Sequence, residues 1–385
     1  MTMIKCIVIS VLLTLFKIET YFSKTAIERI INDGYPAESH HIQTEDGFIL
    51  EVHRIPGNKS SKGVVLIQHG FIASSESFLC NGAHVSLPYQ VYQYGFDVWL
   101  GNFRGNTYSR NHSSLKPDSR KFWDYSFHDH GLYDLPAMID YILKYTKKKS
   151  LHFIGHSMGT TALLVLLSEN PKYNKKVKSA NLLAPVGYIS NSISPIVRLG
   201  CPLLGSTYFQ IPNTFEIFQQ GTYLEYLLSH NCQDDSCSLA TCRLILSLNS
   251  GTSSHTNESL CNNILETNPA GGSSKQFEHY CQWFRKGAPR KFDYGILKNQ
   301  IFYNRTIPPE YKFEKINVLI YIFYGNADYF VTPVDVKKLL HRLGNKVKRV
   351  IYYDEGKFSH NDFMFANNVD TLVNGVVLEN ILESV

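Results

Sequence analysis

The sequence predicts an α/β architecture, with a mostly parallel central sheet, helices on both of its faces and a cap inserted late in the chain. Three observations predict it. Short continuous apolar runs alternate with longer segments whose apolar residues recur every three or four positions. A strand pair around Asp46-Gly47 precedes them, and one long interval, Ala184 to Val318, breaks the rhythm.

Taken in order, Lys5 precedes the apolar stretch Cys6 to Phe16, the size of a signal-peptide core and short for a membrane span. Residues 1–20 are therefore expected to be a removed leader, and no later run approaches the length of a transmembrane span. Glu38 to Gln43 and Phe48 to Ile55 flank Glu45-Asp46-Gly47, where Asp-Gly supplies the positive backbone angles of a tight hairpin. The runs Val64 to Ile67, Phe96 to Leu100, Leu151 to Ile154, Ala180 to Ala184, Val318 to Tyr324 and Arg349 to Tyr353 read as strands buried on both faces. Leu135 to Tyr145, Met158 to Ser168, Val334 to Leu343 and Val369 to Leu382 carry helical periodicity. Strand, helix, strand alternation makes the sheet mostly parallel. The aberrant interval holds most of the cysteines and Gly/Ser-rich pieces such as Asn249 to Ser254. The expected organisation is core from 21–186, cap or lid from 187–300 and core again from 301–385.

Composition narrows the functional classes. Hydrophobic residues at 44% and charged residues at 18% are globular proportions, and the net charge of +5 is dispersed. Nucleic-acid binding, which calls for a basic face, has no support. Sequons at Asn58, Asn111, Asn257 and Asn304 are candidate glycosylation sites and fit a secretory route. Without Cys6 the remaining cysteines are odd in number, so at least one thiol is expected to stay unpaired. The spacing of Cys232, Cys237 and Cys242 lacks a Cys-x-x-Cys pair, and disulfides are favoured over a metal site there.

Gly155-His156-Ser157-Met158-Gly159 matches Gly-x-Ser-x-Gly where a strand ends and a helix begins, the context of a nucleophile elbow. A serine hydroxyl needs a histidine base, and the base needs an acid to hold its tautomer, in the chain order Ser, Asp or Glu, His. Of fifteen histidines only His341 and His360 follow the strand Val318 to Tyr324. His341 lies in a helix among Lys337, Lys338 and Arg342, whereas His360 sits in the loop after the last strand and is the expected base. Asp328 directly follows its strand and is favoured over Asp335, which opens a helix, and Asp354. The amides of Met158 and of Phe71, in Gln68-His69-Gly70-Phe71, are the expected oxyanion donors. Asn102 and Arg104 are expected to be scaffolding near the active edge of the sheet.

Tyr35-Pro36, Thr44 to Leu50, His53 to Gly57, Gln68 to Gly70, Gly95 to Arg110, Lys121 to Trp123, Tyr133 to Ile142, Gly155 to Gly159, Asn268 to Gly271 and Tyr324 to Val336 together closely resemble the acid lipase family of α/β-hydrolases. The resemblance spans nearly all of the chain after the leader. It implies the α/β-hydrolase fold and a lid-bearing lipase acting on triacylglycerols or cholesteryl esters, with Ser157, Asp328 and His360 on the family's triad positions. It also implies Cys232 and Cys242 as the neighbourhood of the family's cap disulfide, with Cys237, Cys261 and Cys281 as additions. Phe71, Ser359, Asn361 and Tyr329 depart from the family's usual residues. No cofactor or metal is implied, the expected partner is a neutral-lipid droplet or emulsion surface, and the expected location is extracellular or the lysosomal lumen. Nothing in the sequence speaks to oligomeric state. A phospholipase, a small-ester carboxylesterase and a non-catalytic lipid binder on the same fold stay open, as does the choice between a lipid-facing rim and an internal core for Ile193, Ile196, Val197, Leu199, Leu203, Leu204, Phe209, Phe215 and Phe218.

Overall fold

A computed structural model describes residues 24–58, 60–204, 215–218, 247 and 250–384. The leader and Phe209, Cys232, Cys237 and Cys242 lie outside the described residues.

The strands are β1 (Glu38–Gln43), β2 (Phe48–Ile55), β3 (Val64–Gln68), β4 (Asp97–Gly101), β5 (Asn111–His112), β6 (Leu151–His156), β7 (Val177–Leu183), β8 (Glu216–Ile217), β9 (Gly272–Ser273), β10 (Leu319–Gly325) and β11 (Val347–Tyr353). One sheet runs in the order β1-β2-β4-β3-β6-β7-β10-β11, with β5 attached to β2, and β8 pairs β9 separately. β1, β2 and β5 enter antiparallel, and every pair from β4 to β11 is parallel. The hairpin forms where expected, with Glu38 opposite Arg54, Gln43 opposite Ile49 and Gly47 at φ 100° in the turn.

The continuous apolar runs became β3, β4 and β6, in which every residue is buried because helices cover both faces. The helix Met158–Glu169 is buried around nearly its whole circumference and forms the centre of one layer. One expectation needs correction. β11 was expected to be buried on both faces, yet it is an edge strand with Lys348, Arg349, Val350 and Tyr352 exposed. Among the described residues it pairs only with β10, and Lys348 and Arg349 supply the exposed charge an edge strand carries. The C-terminal periodic segment forms a helix whose first turn, Asp370–Asn374, is π-wound before Gly375–Leu382 continues as α.

The interval between β7 and β10 contributes the helices Pro195–Leu204, Ser274–Lys286 and Ile296–Tyr303. The disulfide Cys201–Cys281 ties the first two together. Cys281, expected to be an addition to the family pattern, is thus a bridge partner. Cys80 is an unpaired thiol that burial pushes up to about 12. Among the described residues no helix is long and apolar enough to cross a membrane.

Candidate active site

Ser157 stands between the end of β6 and the helix Met158–Glu169, at φ 51° and ψ −117°. A left-handed serine is strained, and it persists because the strand-to-helix turn holds it from both sides. The glycines two positions away are sterically required. A Cβ on Gly155 would lie 2.7 Å from the Phe153 ring, and one on Gly159 would lie 2.6 Å from the Gln68 carbonyl oxygen.

The three residues singled out by chain order meet at this turn. His360 Nε2 lies 2.8 Å from Ser157 Oγ, and His360 Nδ1 lies 2.7 Å from Asp328 Oδ2. Because a carboxylate only accepts, Nδ1 carries the proton and Nε2 accepts from the serine hydroxyl. Asp328 is held by the amides of Phe330 and Val331, each donating to Oδ1 at 2.8 Å, and no Lys or Arg among the described residues pairs with it. All three residues are buried, at 9%, 2% and 5% exposure for Ser157, Asp328 and His360. Such a relay can draw a proton from an alcohol toward imidazole while the carboxylate balances the resulting charge.

The rival candidates lie elsewhere. Asp335 accepts hydrogen bonds from Ser190, Asn191 and Lys338 and ties the loop after β7 to its own helix. His341 is exposed on its helix. The Gly70-Phe71 loop abuts the elbow, since a Cβ on Gly70 would lie 3.1 Å from Ser157 Cβ. The Phe71 and Met158 amides have no backbone acceptor among the described residues, and Met158 opens its helix, where the first amides lack an intrahelical acceptor. Two amides without a backbone acceptor thus flank the serine in sequence or in space.

Sequence reasoning missed a function of His156. Its Nε2 donates to the carbonyl oxygen of His360 at 2.9 Å, so the residue before Ser157 pins the backbone of His360. Burial, reinforced by His360, lowers its pKa to about 3, and it stays neutral with Nε2 protonated. No sequence signal marks a contact across 204 positions.

Asn102 and Arg104 brace the neighbouring loops. Asn102 accepts from Ser75 N and donates to Glu51 O, and Arg104 bridges Asp46 and Asp134. Of the residues named for an apolar rim, Ile193, Ile196, Leu199 and Phe218 are exposed, Val197 is buried and Phe215 packs against the core. Asn58, Asn111 and Asn304 are exposed and Asn257 is half-buried.

A family profile for the partial α/β-hydrolase lipase region matches residues 26–82, and one for the α/β hydrolase fold matches 63–244. Lipase 3 of Drosophila melanogaster is 36% identical over 360 residues, 91% of either chain. Gastric triacylglycerol lipase of Homo sapiens is 36% identical over 342 residues, 86% of this chain and 84% of that one. Among solved structures, the lip1 chain of Acinetobacter baumannii superposes with a TM-score of 0.56 at 15% identity, covering 96% of this chain and 98% of that one. E-2-(acetamidomethylene)succinate hydrolase superposes at 0.52 with 13% identity, covering 90% and 100% respectively. These two structural likenesses speak to the fold alone.

Proposed function

The chain belongs to the acid lipase family of α/β-hydrolases and is an ester hydrolase, and from that premise we propose that it cleaves the carboxylic esters of neutral lipids, triacylglycerols or cholesteryl esters, through an acyl-enzyme on Ser157. The observation that carries this reading is the hydrogen-bonded line Ser157 Oγ, His360 Nε2, His360 Nδ1, Asp328 Oδ2.

In this reading Ser157 Oγ attacks the ester carbonyl as its proton passes to His360 Nε2. Asp328 stabilises the imidazolium through Nδ1, and the Phe71 and Met158 amides receive the oxyanion. His360 then protonates the departing alcohol, and water, activated by the same imidazole, releases the fatty acid. A lipid surface as partner is supported by the exposed apolar Ile193, Ile196, Leu199 and Phe218. Secretion or a lysosomal location is supported by the N-terminal apolar stretch and the exposed sequons.

Ser157→Ala is expected to lower turnover of a soluble ester by at least ~10^3-fold and to abolish labelling by a fluorophosphonate. Wild-type turnover in that variant would reject the assignment. A rate that jumps when substrate passes from monomers to an emulsion separates a lipase from a small-ester carboxylesterase.

A further inference from the structure

The segment Ser250 to Thr256 lies within the interval that the sequence assigns to the cap, yet its polar groups are committed to the catalytic loops. The Ser250 carbonyl oxygen accepts from the His360 amide at 3.1 Å and from the Tyr329 amide at 3.5 Å, one residue past Asp328. Gly251, at φ +107°, lies so close to the acid loop that a Cβ would collide with the Ala327 carbonyl oxygen. Ser254 N donates to Lys357 O at 3.0 Å, and Lys357 N returns a bond to Ser254 Oγ at 2.8 Å. His255 Nε2 donates to Glu355 O at 2.9 Å, and Asn367 N donates to His255 O at 2.7 Å.

The centre of this stitching is Asp362, two residues after the base and completely buried. Its Oδ1 accepts from Ser253 Oγ at 2.8 Å and from Thr256 Oγ1 at 3.1 Å. Its Oδ2 accepts from Ser359 N at 2.5 Å, the amide immediately before His360. Ser253 Oγ in turn accepts from the amides of His255 and Thr256, both at 2.9 Å, which orients its own proton toward the carboxylate. No Lys or Arg among the described residues pairs with Asp362, so hydroxyl and amide donors hold the buried carboxylate in one direction.

We propose that Ser253, Thr256 and Asp362 form a positioning device for the base: the strap Ser250–Thr256 fixes the backbone on both sides of His360, so the imidazole meets Ser157 and Asp328 without a search. The physical need is plain. His360 sits in an irregular loop after an edge strand, and neither helix nor sheet ladder holds that loop in register. With the strap in place its amide is bound by Ser250, its carbonyl by His156 and its ring by Asp328 and Ser157. This inference rests on the reading of His360 as the base.

The test is Ser253→Ala combined with Thr256→Val, which removes both hydroxyls that hold Asp362 and leaves every residue touching substrate in place. On a soluble short-chain ester, kcat and the rate of fluorophosphonate labelling are expected to fall about 10- to 100-fold, since small misplacements of a reacting group cost that much, with KM little changed. Thr256→Ser and Ser253→Thr, which keep the hydroxyls, are expected to retain wild-type rates. Unchanged kcat and labelling in the double variant, with stability alone reduced, would overturn the proposal; so would a rise in KM at constant kcat, which would assign the strap to substrate binding. If the double variant does not fold by near-UV circular dichroism, Thr256→Val alone decides by the same criteria. A wild-type protein that fails to label at Ser157 refutes the lipase reading, whereas a labelled wild type with an equally fast strap variant refutes only this one.

Discussion

Among the described residues two buried His–Asp pairs have nearly equal contact distances, and only one of them has a serine hydroxyl against the second ring nitrogen. His360 Nδ1 lies 2.7 Å from Asp328, and His130 Nδ1 lies 2.8 Å from Asp134. The second pair is one helical turn apart, and both of its side chains are inaccessible to solvent. Arg104 donates to Asp134 from its backbone amide and its guanidinium, so a cation already balances that carboxylate. The His130 ring stacks on Phe103 at 4.2 Å, and its Nε2 meets Gln276 at 2.6 Å. Burial is the main cause that keeps His130 below the ordinary imidazole pKa, against the pull of Asp134. Asp328, by contrast, is oriented by two neutral amides, and the second nitrogen of its histidine points at Ser157. A buried His–Asp contact therefore does not by itself bring a hydroxyl to the far ring nitrogen. The difference lies in whether the carboxylate's charge is free to stabilise an imidazolium and whether the far nitrogen has a reacting partner.

Substitutions can break this contrast, and the largest effect belongs to the first pair. Asp328→Asn is expected to reduce turnover on the order of 10^4-fold with little loss of fold, because an amide favours the wrong imidazole tautomer. His130→Gln, measured on the same soluble ester, should stay close to wild type once folded. Comparable losses in both would erase the distinction.

Next in size is Arg104→Met. It leaves Asp134 buried without its cation and is expected to cost about 3–5 kcal/mol of stability in chemical denaturation. An unchanged midpoint would mean that Arg104 matters less than its position suggests.

The smallest effect is a pH slope. Burial alone would raise the Asp134 carboxyl, but Arg104 and His130 outweigh it and hold the group below the ordinary aspartate value. A carboxyl lowered by folding contributes stability above its unfolded pKa, ~3.9, and that stability is lost as the pH falls through the lower folded value. Thermal melts from about pH 5 downward should therefore lose stability in the wild type, and less steeply in Asp134→Asn. Equal slopes would place the acid sensitivity in other carboxyls.

The elbow was legible in the sequence because its requirement is local: Gly155 and Gly159 must lack side chains within two residues of Ser157, and the flanking strand and helix announce themselves by pattern. His360 and Asp328 were found by chain order, since a parallel sheet delivers the ends of successive strands to one edge. β11 was misjudged because burial on both faces depends on neighbours that an apolar run does not name. The bridge Cys201–Cys281 and the strap were hidden for a related reason. Their partners are 80 or more positions apart, and Ser253 and Thr256 look like ordinary loop residues until Asp362 stands beside them.

By itself the sequence determined the alternation of strands and helices, the strained serine turn and the order in which its partners arrive, because each follows from short-range sterics and apolar periodicity. Tertiary structure alone decided which of two described His–Asp pairs meets a serine hydroxyl, which cysteines join and which loop hydroxyls stand against Asp362. Those outcomes depend on where distant donors, acceptors and charges come to rest, and directional bonds at about 3 Å leave no trace in the spacing of residues along the chain.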